Sequence, residues 1–333
     1  MAMGAGQSGF RRGARAALRC CSFRNLFALC AGSLLALVPL VSMGPEIRSI
    51  EMVPYAPQYP HQAYGYELAL TRLQRNRPAI EWFDGAERAL RDPLPIELPF
   101  RKTGERASGT AAVGYAFTVP AGRRVAVTLT SAGGEATELF VDLFRASSLR
   151  HERIAGALPG SELQPFAIDA VEGGDYVLRV QPPIGAAAEF DVQVEARALL
   201  TFPVKGVGTG AIWSGFGAER DGGRRAHRGV DIFAARGTPV LAATDGWVTR
   251  VETTRVGGNV IWMQPLFGNV RVYYAHLHEQ WVEPGDFVTA GQPLGAVGNT
   301  GNAITTPPHL HFGVYVRQPG RRGGARDPAE FLR

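Results

Sequence analysis

The chain of 333 residues is 45% hydrophobic and 20% charged, a balance that is typical of globular proteins and excludes an extensively disordered chain. Its net charge of +5 comes from the N-terminus, where five arginines and no acidic residue precede Glu46, which leaves 30 basic and 30 acidic residues in the rest. Because that remainder is formally neutral, no basic face is expected, and nucleic acid is excluded as a partner. The three cysteines all lie within the first thirty residues, so the rest has neither a disulfide framework nor a cysteine metal site.

Export is predicted from residues 1–45. An uncharged apolar run at residues 26–43 follows the arginine cluster, and this order is typical of a secretory signal or of an uncleaved signal anchor. The run is slightly shorter than the about 20 residues of a membrane-spanning helix, and cleavage after Ser42 is the alternative to anchoring. Since the positive charge precedes the run, we expect the rest in the periplasm or at the cell surface, anchored to the inner membrane if the signal is retained. A buried core helix is the other interpretation, and it leaves the charge asymmetry unexplained.

Residues 46–93 are predicted to form a linker followed by a short helical region. The first part is rich in Pro and Tyr and reads as extended chain. Two stretches with helical spacing of apolar residues follow, Glu67–Gln74 and Ala79–Arg91. Pro78 is predicted to separate the two helices and Pro93 to end the second.

The remainder is predicted to be mainly β, in two regions. Residues 94–199 carry short alternating runs about a dozen residues apart with glycine turns between them, which predicts an antiparallel β-sandwich. This stretch resembles the jelly-roll-like modules that accompany secreted bacterial peptidases, and since it has no catalytic cluster we expect it to be a spacer or to position substrate. Residues 200–333 form a second strand-rich region in which helical signals are nearly absent.

Histidines cluster in this second β region. Five of the seven in the chain belong to the cluster, namely His227, His276, His278, His309 and His311. Histidine is the commonest metal ligand and titrates near neutral pH, so the clustering points to chemistry in the C-terminal region. The other two, His61 and His151, are predicted to lie at the surface.

The segment His309–Leu310–His311 belongs to a run that alternates as a β-strand does. Because residues i and i+2 of a strand point to the same face, both imidazoles are predicted to project together from an open face. Leu310, Phe312 and Val314 are predicted to point the other way, into a core.

A second strand pattern, at residues 269–277, carries His276. The alternation of a strand predicts that His276 shares a face with Val272 and Tyr274. His278 follows two residues later and is predicted to be a loop or rim residue.

A metal site is predicted from the segment that holds His227 and Asp231. The two residues are four apart with Gly229 between them, so both side chains can bend towards one cation. Together with one imidazole from the strand at residues 309–311 they make three ligands, the number that catalytic zinc usually has, with water in the fourth position. A set with one carboxylate and no thiolate suits Zn²⁺, and other divalent metals remain alternatives.

Several motifs follow one another in a defined order between residues 208 and 317. They are SGFG at 214–217, HRGVDIFAARGTPVLAATDGWV at 227–248, YYAHL at 273–277, VEPGDFVTAGQPLGAVGNTG at 282–301 and PHLHFGVYV at 308–316. In this order and spacing they resemble the M23 (lysostaphin/LytM-type) zinc metallopeptidase family. The resemblance covers about a third of the chain.

The resemblance implies a role for each member of the site. One Zn²⁺ per chain is expected to be held by His227, Asp231 and His311. His276 and His309 are implied to be catalytic histidines that do not bind the metal, and which of them is the general base stays open. Some members of the family keep an inhibitory asparagine as a further ligand, and no such residue is identified in this sequence.

The activity implied by the resemblance is hydrolysis of peptide cross-links or stem peptides of bacterial peptidoglycan by metal-activated water. The alternatives are a zinc peptidase of secreted proteins and a non-catalytic regulator of other cell-wall hydrolases. The regulator is disfavoured because all three ligands and both catalytic histidines are present. Since about 150 exported residues precede the peptidase region without chemistry of their own, we also expect the helical region or the β-sandwich to cover the groove and inhibit the enzyme.

Overall fold

The computed structural model describes residues 59–131, 138–147, 150–157, 164–220, 222–317 and 323–332. The signal or anchor predicted for residues 1–45, with its apolar run at 26–43, lies outside these residues, as does nearly all of the predicted linker. No helix in the described ranges is long and apolar enough to span a membrane.

Two α-helices precede the β regions, α1 (Pro60–Leu70) and α2 (Arg77–Arg91), with a 3-10 turn at Leu73–Arg75 between them. Each has a proline in its first turn, where the missing N–H removes no helical hydrogen bond. Helix α1 therefore begins at Pro60 and not at the predicted Glu67, and Pro78 lies inside α2, so the prediction that Pro78 separates the helices is wrong. The buried residues of α2 recur at helical spacing and face the neighbouring sheet: Ala79, Trp82, Ala86 and Ala89.

The described residues of the first β region form nine strands in two sheets. The strands are β1 (Leu94–Pro95), β2 (Phe100–Ser108), β3 (Val113–Val119), β4 (Arg123–Ser131), β5 (Phe140–Ala146), β6 (His151–Gly156), β7 (Phe166–Ala170), β8 (Gly174–Gln181) and β9 (Ala187–Ala198). One sheet has the order β1-β3-β8-β5-β6 and the other β2-β9-β4-β7, and neighbours are antiparallel except for the short β1–β3 pair. Both sheets contribute to one apolar core, in which Leu143, Leu178 and Phe190 are fully buried.

Strands β2 and β6 lack the alternating pattern by which strands are predicted from sequence. Both are edge strands, and most of their side chains are exposed or half-buried. A strand without a buried face carries no apolar alternation, which is the pattern on which sequence-based recognition of strands depends.

His61 is buried under helix α2, which corrects the prediction that it lies at the surface. Its ring is stacked on Trp82 with the centroids 4.3 Å apart, and its Nε2 atom lies 2.8 Å from Oε1 of Gln181. Burial lowers the pKa of His61 to about 4, and the positive charge of Arg179 acts in the same direction. His151, in contrast, is exposed as predicted.

Acidification is expected to destabilise the protein through His61. Since its pKa is about 4 when folded and near 6.5 when unfolded, protonation favours the unfolded chain as the pH falls from 6.5 towards 4. The free energy of unfolding should fall by up to about 3 kcal/mol over this range because of this residue. Denaturant unfolding of wild type, His61→Gln and the exposed control His151→Gln at several pH values measures the effect. Equal pH slopes for wild type and His61→Gln would contradict it.

The C-terminal region contains twelve strands, one short α-helix and two single-turn 3-10 helices, Thr209–Ala211 and Gly301–Ala303, among its described residues. The strands and the α-helix are β10 (Ile212–Ser214), β11 (Glu219–Arg220), β12 (Arg225–Ala226), β13 (Val230–Phe233), β14 (Pro239–Leu241), β15 (Gly246–Thr254), β16 (Gly258–Pro265), β17 (Val270–Gln280), β18 (Phe287–Val288), β19 (Pro293–Val297), β20 (His309–Val316), β21 (Gly324–Arg326) and α3 (Pro328–Leu332). The main sheet has the order β10-β13-β20-β17-β16-β15-β18, with β14, β19 and β21 at its margins. Strands β11 and β12 form a separate hairpin.

Strand β20 lies in the middle of this sheet and has two different faces. Leu310, Phe312 and Val314 are fully buried in the apolar core on one side. His309 and His311 line a groove on the other side. The predicted alternation of this strand is therefore confirmed, and it places both imidazoles on the same open face.

The two β regions are in direct contact at the end of β9. The backbone N–H of Leu200 donates to the carbonyl oxygen of Phe331 in α3 at 3.1 Å, and Leu199 donates to Gly122 at 3.0 Å. Gly122 has a φ of +73°, and a Cβ there would lie 2.8 Å from the Cα of Phe331, so this approach requires glycine. Leu199 and Leu200 are buried in the core of the C-terminal region, and the domain boundary between residues 199 and 200 stays a prediction.

Candidate metal centre and active-site groove

A groove of about 710 Å³ lies on the face of the main sheet that carries the histidines. Its lining consists of residues between Ser214 and Tyr315. Within the described ranges, neither the helices nor the first β region contributes a side chain to this lining. The prediction that these regions cover the groove and inhibit the enzyme therefore has no support from the residues that line the groove.

The three candidate metal ligands meet in this groove. Asp231 on β13 lies directly opposite His311 on β20, and His227 lies in the segment just before β13. Nε2 of His227 is 2.9 Å from Nδ1 of His311, and Oδ1 of Asp231 is 3.1 Å and 2.9 Å from these two nitrogens. The backbone thus brings residues that are 84 positions apart to one point.

The donor set fits a zinc ion. Zinc binds imidazole nitrogen and carboxylate oxygen at about 2.0–2.2 Å, and three donor atoms about 3 Å apart can all reach one ion at such distances. Burial opposes ionisation of Asp231, but hydrogen bonds with His227 and His311 hold the pKa of its carboxyl well below the ordinary value. Burial lowers the pKa of His311. An ionised carboxylate and neutral imidazoles are the forms that bind a metal.

Gly229, between His227 and Asp231, lies in close contact with strand β20. A Cβ at this position would lie 2.8 Å from Nε2 of His311 and 2.5 Å from the carbonyl oxygen of Phe312. Any larger residue would push the His311 ring or strand β20 away. The glycine is therefore needed for close approach between the two parts of the metal site.

Two further contacts orient the candidate ligands. Nδ1 of His227 lies 2.9 Å from the carbonyl oxygen of Gly215, to which it donates, so Nε2 is left as the metal-binding atom. Arg220 donates from Nη2 to Oδ2 of Asp231 at 2.7 Å and to Oγ of Ser214 at 2.6 Å. Sequence spacing does not place Arg220 at the ligands, because only the hairpin β11–β12 brings it back over the groove.

Removal of the Arg220 guanidinium is expected to weaken zinc binding. Arg220 holds Oδ2 of Asp231 and thereby turns Oδ1 towards the histidines. Losing such an outer contact typically costs 10- to 100-fold in metal affinity, and we expect a loss of about this size for Arg220→Ala. Arg220→Lys should retain part of the affinity, since an ammonium can still pair with one carboxylate oxygen. Competition with a chelator measures the affinity.

Arg236 provides the control for this prediction. It is an exposed arginine of the same region that donates to Oδ1 of Asn299 at 2.6 Å and contacts none of the candidate ligands. Arg236→Ala should keep the zinc affinity of the wild type. If Arg220→Ala bound zinc with the affinity of the wild type, Arg220 would have no role in the metal site.

His276 and His309 lie beside the candidate ligands with their ring centroids 5.1 Å apart. Nδ1 of His276 donates to the carbonyl oxygen of Thr300 at 2.9 Å, and Nδ1 of His309 donates to that of Pro307 at 2.8 Å. Each ring therefore keeps Nε2 as its free nitrogen. Burial, helped by the charges of His311 and His309, lowers the pKa of His276 to about 4, so this ring is a neutral proton acceptor at neutral pH.

The prediction that His276 shares a face of its strand with Val272 and Tyr274 is wrong. Val272 and Tyr274 are fully buried in the core, whereas His276 lines the groove on the opposite face. The backbone of His276 has a φ of +62°, and the pairing of β17 with β16 shifts its register at this point. This irregularity breaks the alternation of the strand and turns His276 into the site. His278 follows on β17 with a partly exposed side chain.

An aromatic stack supports His309 from outside the metal site. Phe233 is stacked on His309 with the ring centroids 5.0 Å apart, and Trp213 is stacked on Phe233 at 4.9 Å. Trp213 is 73% exposed. Sequence reasoning missed both aromatic residues, since only the pairing of β10, β13 and β20 brings them together.

Residues 225–328, which include all five members of the site, match the model of Peptidase family M23. Among curated proteins, the chain is 39% identical over 119 residues to the L-Ala--D-Glu endopeptidase of Bacillus subtilis (strain 168), which covers 34% of this chain and 36% of that protein. It is 40% identical over 108 residues to lysostaphin of Staphylococcus simulans, covering 32% of this chain and 21% of that protein.

Two further proteins are similar to part of this chain. The peptidoglycan DD-endopeptidase ShyC of Vibrio cholerae is 38% identical over 93 residues, covering 28% of this chain and 21% of that protein. The solved catalytic domain of lysostaphin from Staphylococcus simulans is 38% identical, covers 35% of this chain and 88% of that structure, and superposes with a TM-score of 0.31. This chain spans about a third or less of the length of the curated relatives that it matches.

Proposed function

Since residues 225–328 are a Peptidase family M23 domain, we propose that this protein is a zinc-dependent endopeptidase that hydrolyses peptide bonds in bacterial peptidoglycan. The observation that carries the proposal is the convergence of His227, Asp231 and His311 in one groove beside two further histidines. Relatives that match part of this chain are named as endopeptidases, one of them of peptidoglycan. The substrate is either a cross-link or a stem peptide.

In this proposal, His227, Asp231 and His311 hold one Zn²⁺ per chain. When bound, zinc supplies a Lewis acid that polarises the substrate carbonyl and acidifies water. His276 and His309 present free Nε2 atoms to the groove, where one accepts the proton of the attacking water and a histidine returns it to the leaving amine. The ring that has accepted this proton can donate from Nε2 to the oxygen on which negative charge develops.

The proposal also assigns supporting roles to the segments outside the groove. Residues 1–45 would export the protein to the periplasm or cell surface, with residues 26–43 as an inner-membrane anchor if the signal is retained. Residues 46–93 and 94–199 would connect and position the peptidase domain of residues 200–333. The location of peptidoglycan outside the cytoplasm supports this arrangement.

Digestion of purified peptidoglycan by the full chain tests the proposal. We expect release of peptide fragments that a zinc chelator abolishes and added zinc restores, with zinc bound at one ion per chain. Zinc binding with no cleavage of peptidoglycan but cleavage of unfolded proteins would favour a peptidase of secreted proteins. Bound zinc with cleavage of neither would favour a regulator of other hydrolases, and a chain that binds no zinc would overturn the proposal.

A further inference from the structure

The groove contains a second polar cluster beyond the metal site, centred on Tyr315. Tyr315 lies on β20 four residues after His311 and lines the same groove. Arg271 on β17 is directly opposite Tyr315 in the antiparallel pairing, and directly opposite residues project from the same face with their Cβ atoms about 4.5–5.5 Å apart. Arg228, which follows the candidate ligand His227, also lines the groove.

Arg228 reaches this cluster from the other side. Burial raises the pKa of the Tyr315 phenol, while the positive charge of Arg228 acts in the opposite direction. The backbone carbonyl of Arg228 lies 3.5 Å from the position that a Cβ on Gly313 would occupy, so this segment crosses β20 two residues before Tyr315. Tyr315 is thus flanked by two arginines from two different elements.

The charges of these arginines are not neutralised by neighbouring carboxylates. Arg228 and Arg271 are both exposed, and no acidic residue in the described ranges forms an ion pair with either. The carboxylate that lines the groove, Asp231, is engaged by Arg220 and the candidate ligands. Glu252, which helps to raise the pKa of Tyr273, lies on β15, two strands beyond β17.

The cluster therefore offers two guanidinium groups and a phenol hydroxyl with no carboxylate of the protein to satisfy them. Arginine recognises carboxylates through short, charge-assisted hydrogen bonds, which are about twice as strong as neutral ones. In an extended strand, four residues correspond to about 13 Å, so a group bound at Tyr315 lies within about four peptide residues of the metal site.

We propose that Arg228, Arg271 and the hydroxyl of Tyr315 bind a carboxylate of the substrate peptide a few residues from the scissile bond. The inference rests on the proposed function and narrows its substrate class. Stem peptides with free carboxylates are the preferred substrates, and uncharged glycine bridges are poor ones.

Three synthetic peptides test this specificity: a stem peptide with free side-branch carboxylates, the same peptide with these groups as carboxamides, and an oligoglycine peptide. For the full chain loaded with zinc, kcat/KM should be about tenfold or more higher for the carboxylate peptide than for its carboxamide form, and lower still for oligoglycine. Arg228→Gln and Arg271→Gln should each reduce the ratio between the first two peptides, because the loss of kcat/KM is larger for the carboxylate peptide than for the carboxamide.

Arg101→Gln is the matched control, because Arg101 is an exposed arginine on β2 in the other β region. It should keep the ratio of the wild type, and all variants should keep one zinc per chain. Equal rates on carboxylate and carboxamide peptides, or an equal loss on both in the arginine variants, would overturn the inference while the proposed function stands. Failure of the wild type to cleave any peptide or peptidoglycan would overturn the proposed function itself.

Discussion

Replacement of His311 by alanine is expected to remove zinc from the protein and to abolish hydrolysis of peptidoglycan. The Nδ1 atom of His311 is 2.9 Å from both Nε2 of His227 and Oδ1 of Asp231, so it closes the set of three donors. With only two protein ligands left, the site no longer has the three that catalytic zinc usually requires. Metal analysis of the purified variant and a digestion assay measure both effects.

The control for this variant is His278→Ala. His278 belongs to the same histidine cluster in the sequence, but its side chain is partly exposed and faces Glu279. This variant should keep one zinc per chain and the activity of the wild type. A full complement of zinc in His311→Ala would show that the ligand set is assigned incorrectly.

Replacement of His309 by alanine is expected to give the opposite combination, with zinc retained and activity lost. Nδ1 of His309 donates to the carbonyl oxygen of Pro307, and the His309 ring packs on Phe233. His309 is therefore not one of the three candidate metal ligands. General acid–base catalysis typically contributes 10²- to 10⁴-fold, so kcat should fall by about this factor. His276→Ala should behave similarly, since its ring is held in the same way by Thr300.

Zinc content and kcat measured on the same preparation separate these roles. Loss of zinc in His309→Ala would make His309 a ligand. If His309→Ala retained zinc and had an unchanged kcat, His309 would have no role in the reaction. The two alanine variants compared over a range of pH also indicate which histidine acts as the base, because the remaining ring then determines the pH at which activity is lost.

The strand at residues 309–316 shows how much can be predicted from local pattern. Its alternation follows from strand geometry alone, and the buried Leu310, Phe312 and Val314 lie opposite His309 and His311 as that geometry requires. The conformation of His276 could not be predicted in this way. Its φ of +62° depends on the register shift between β16 and β17, where its N–H donates to the carbonyl of Gly257 at 2.8 Å.

The sequence by itself was enough to predict the three candidate ligands and two candidate catalytic histidines, the mainly β character of the chain and the resemblance to a peptidase family. Residue spacing and strand periodicity carry the β character and the clustering of histidines locally, and the resemblance implies the role of each member of the site. Tertiary structure alone decided that Arg220 orients Asp231, that His61 is buried, and that Arg228 and Arg271 flank Tyr315. Each of these depends on contacts between segments that are distant in the chain or on a hairpin that folds back, and no periodicity records them.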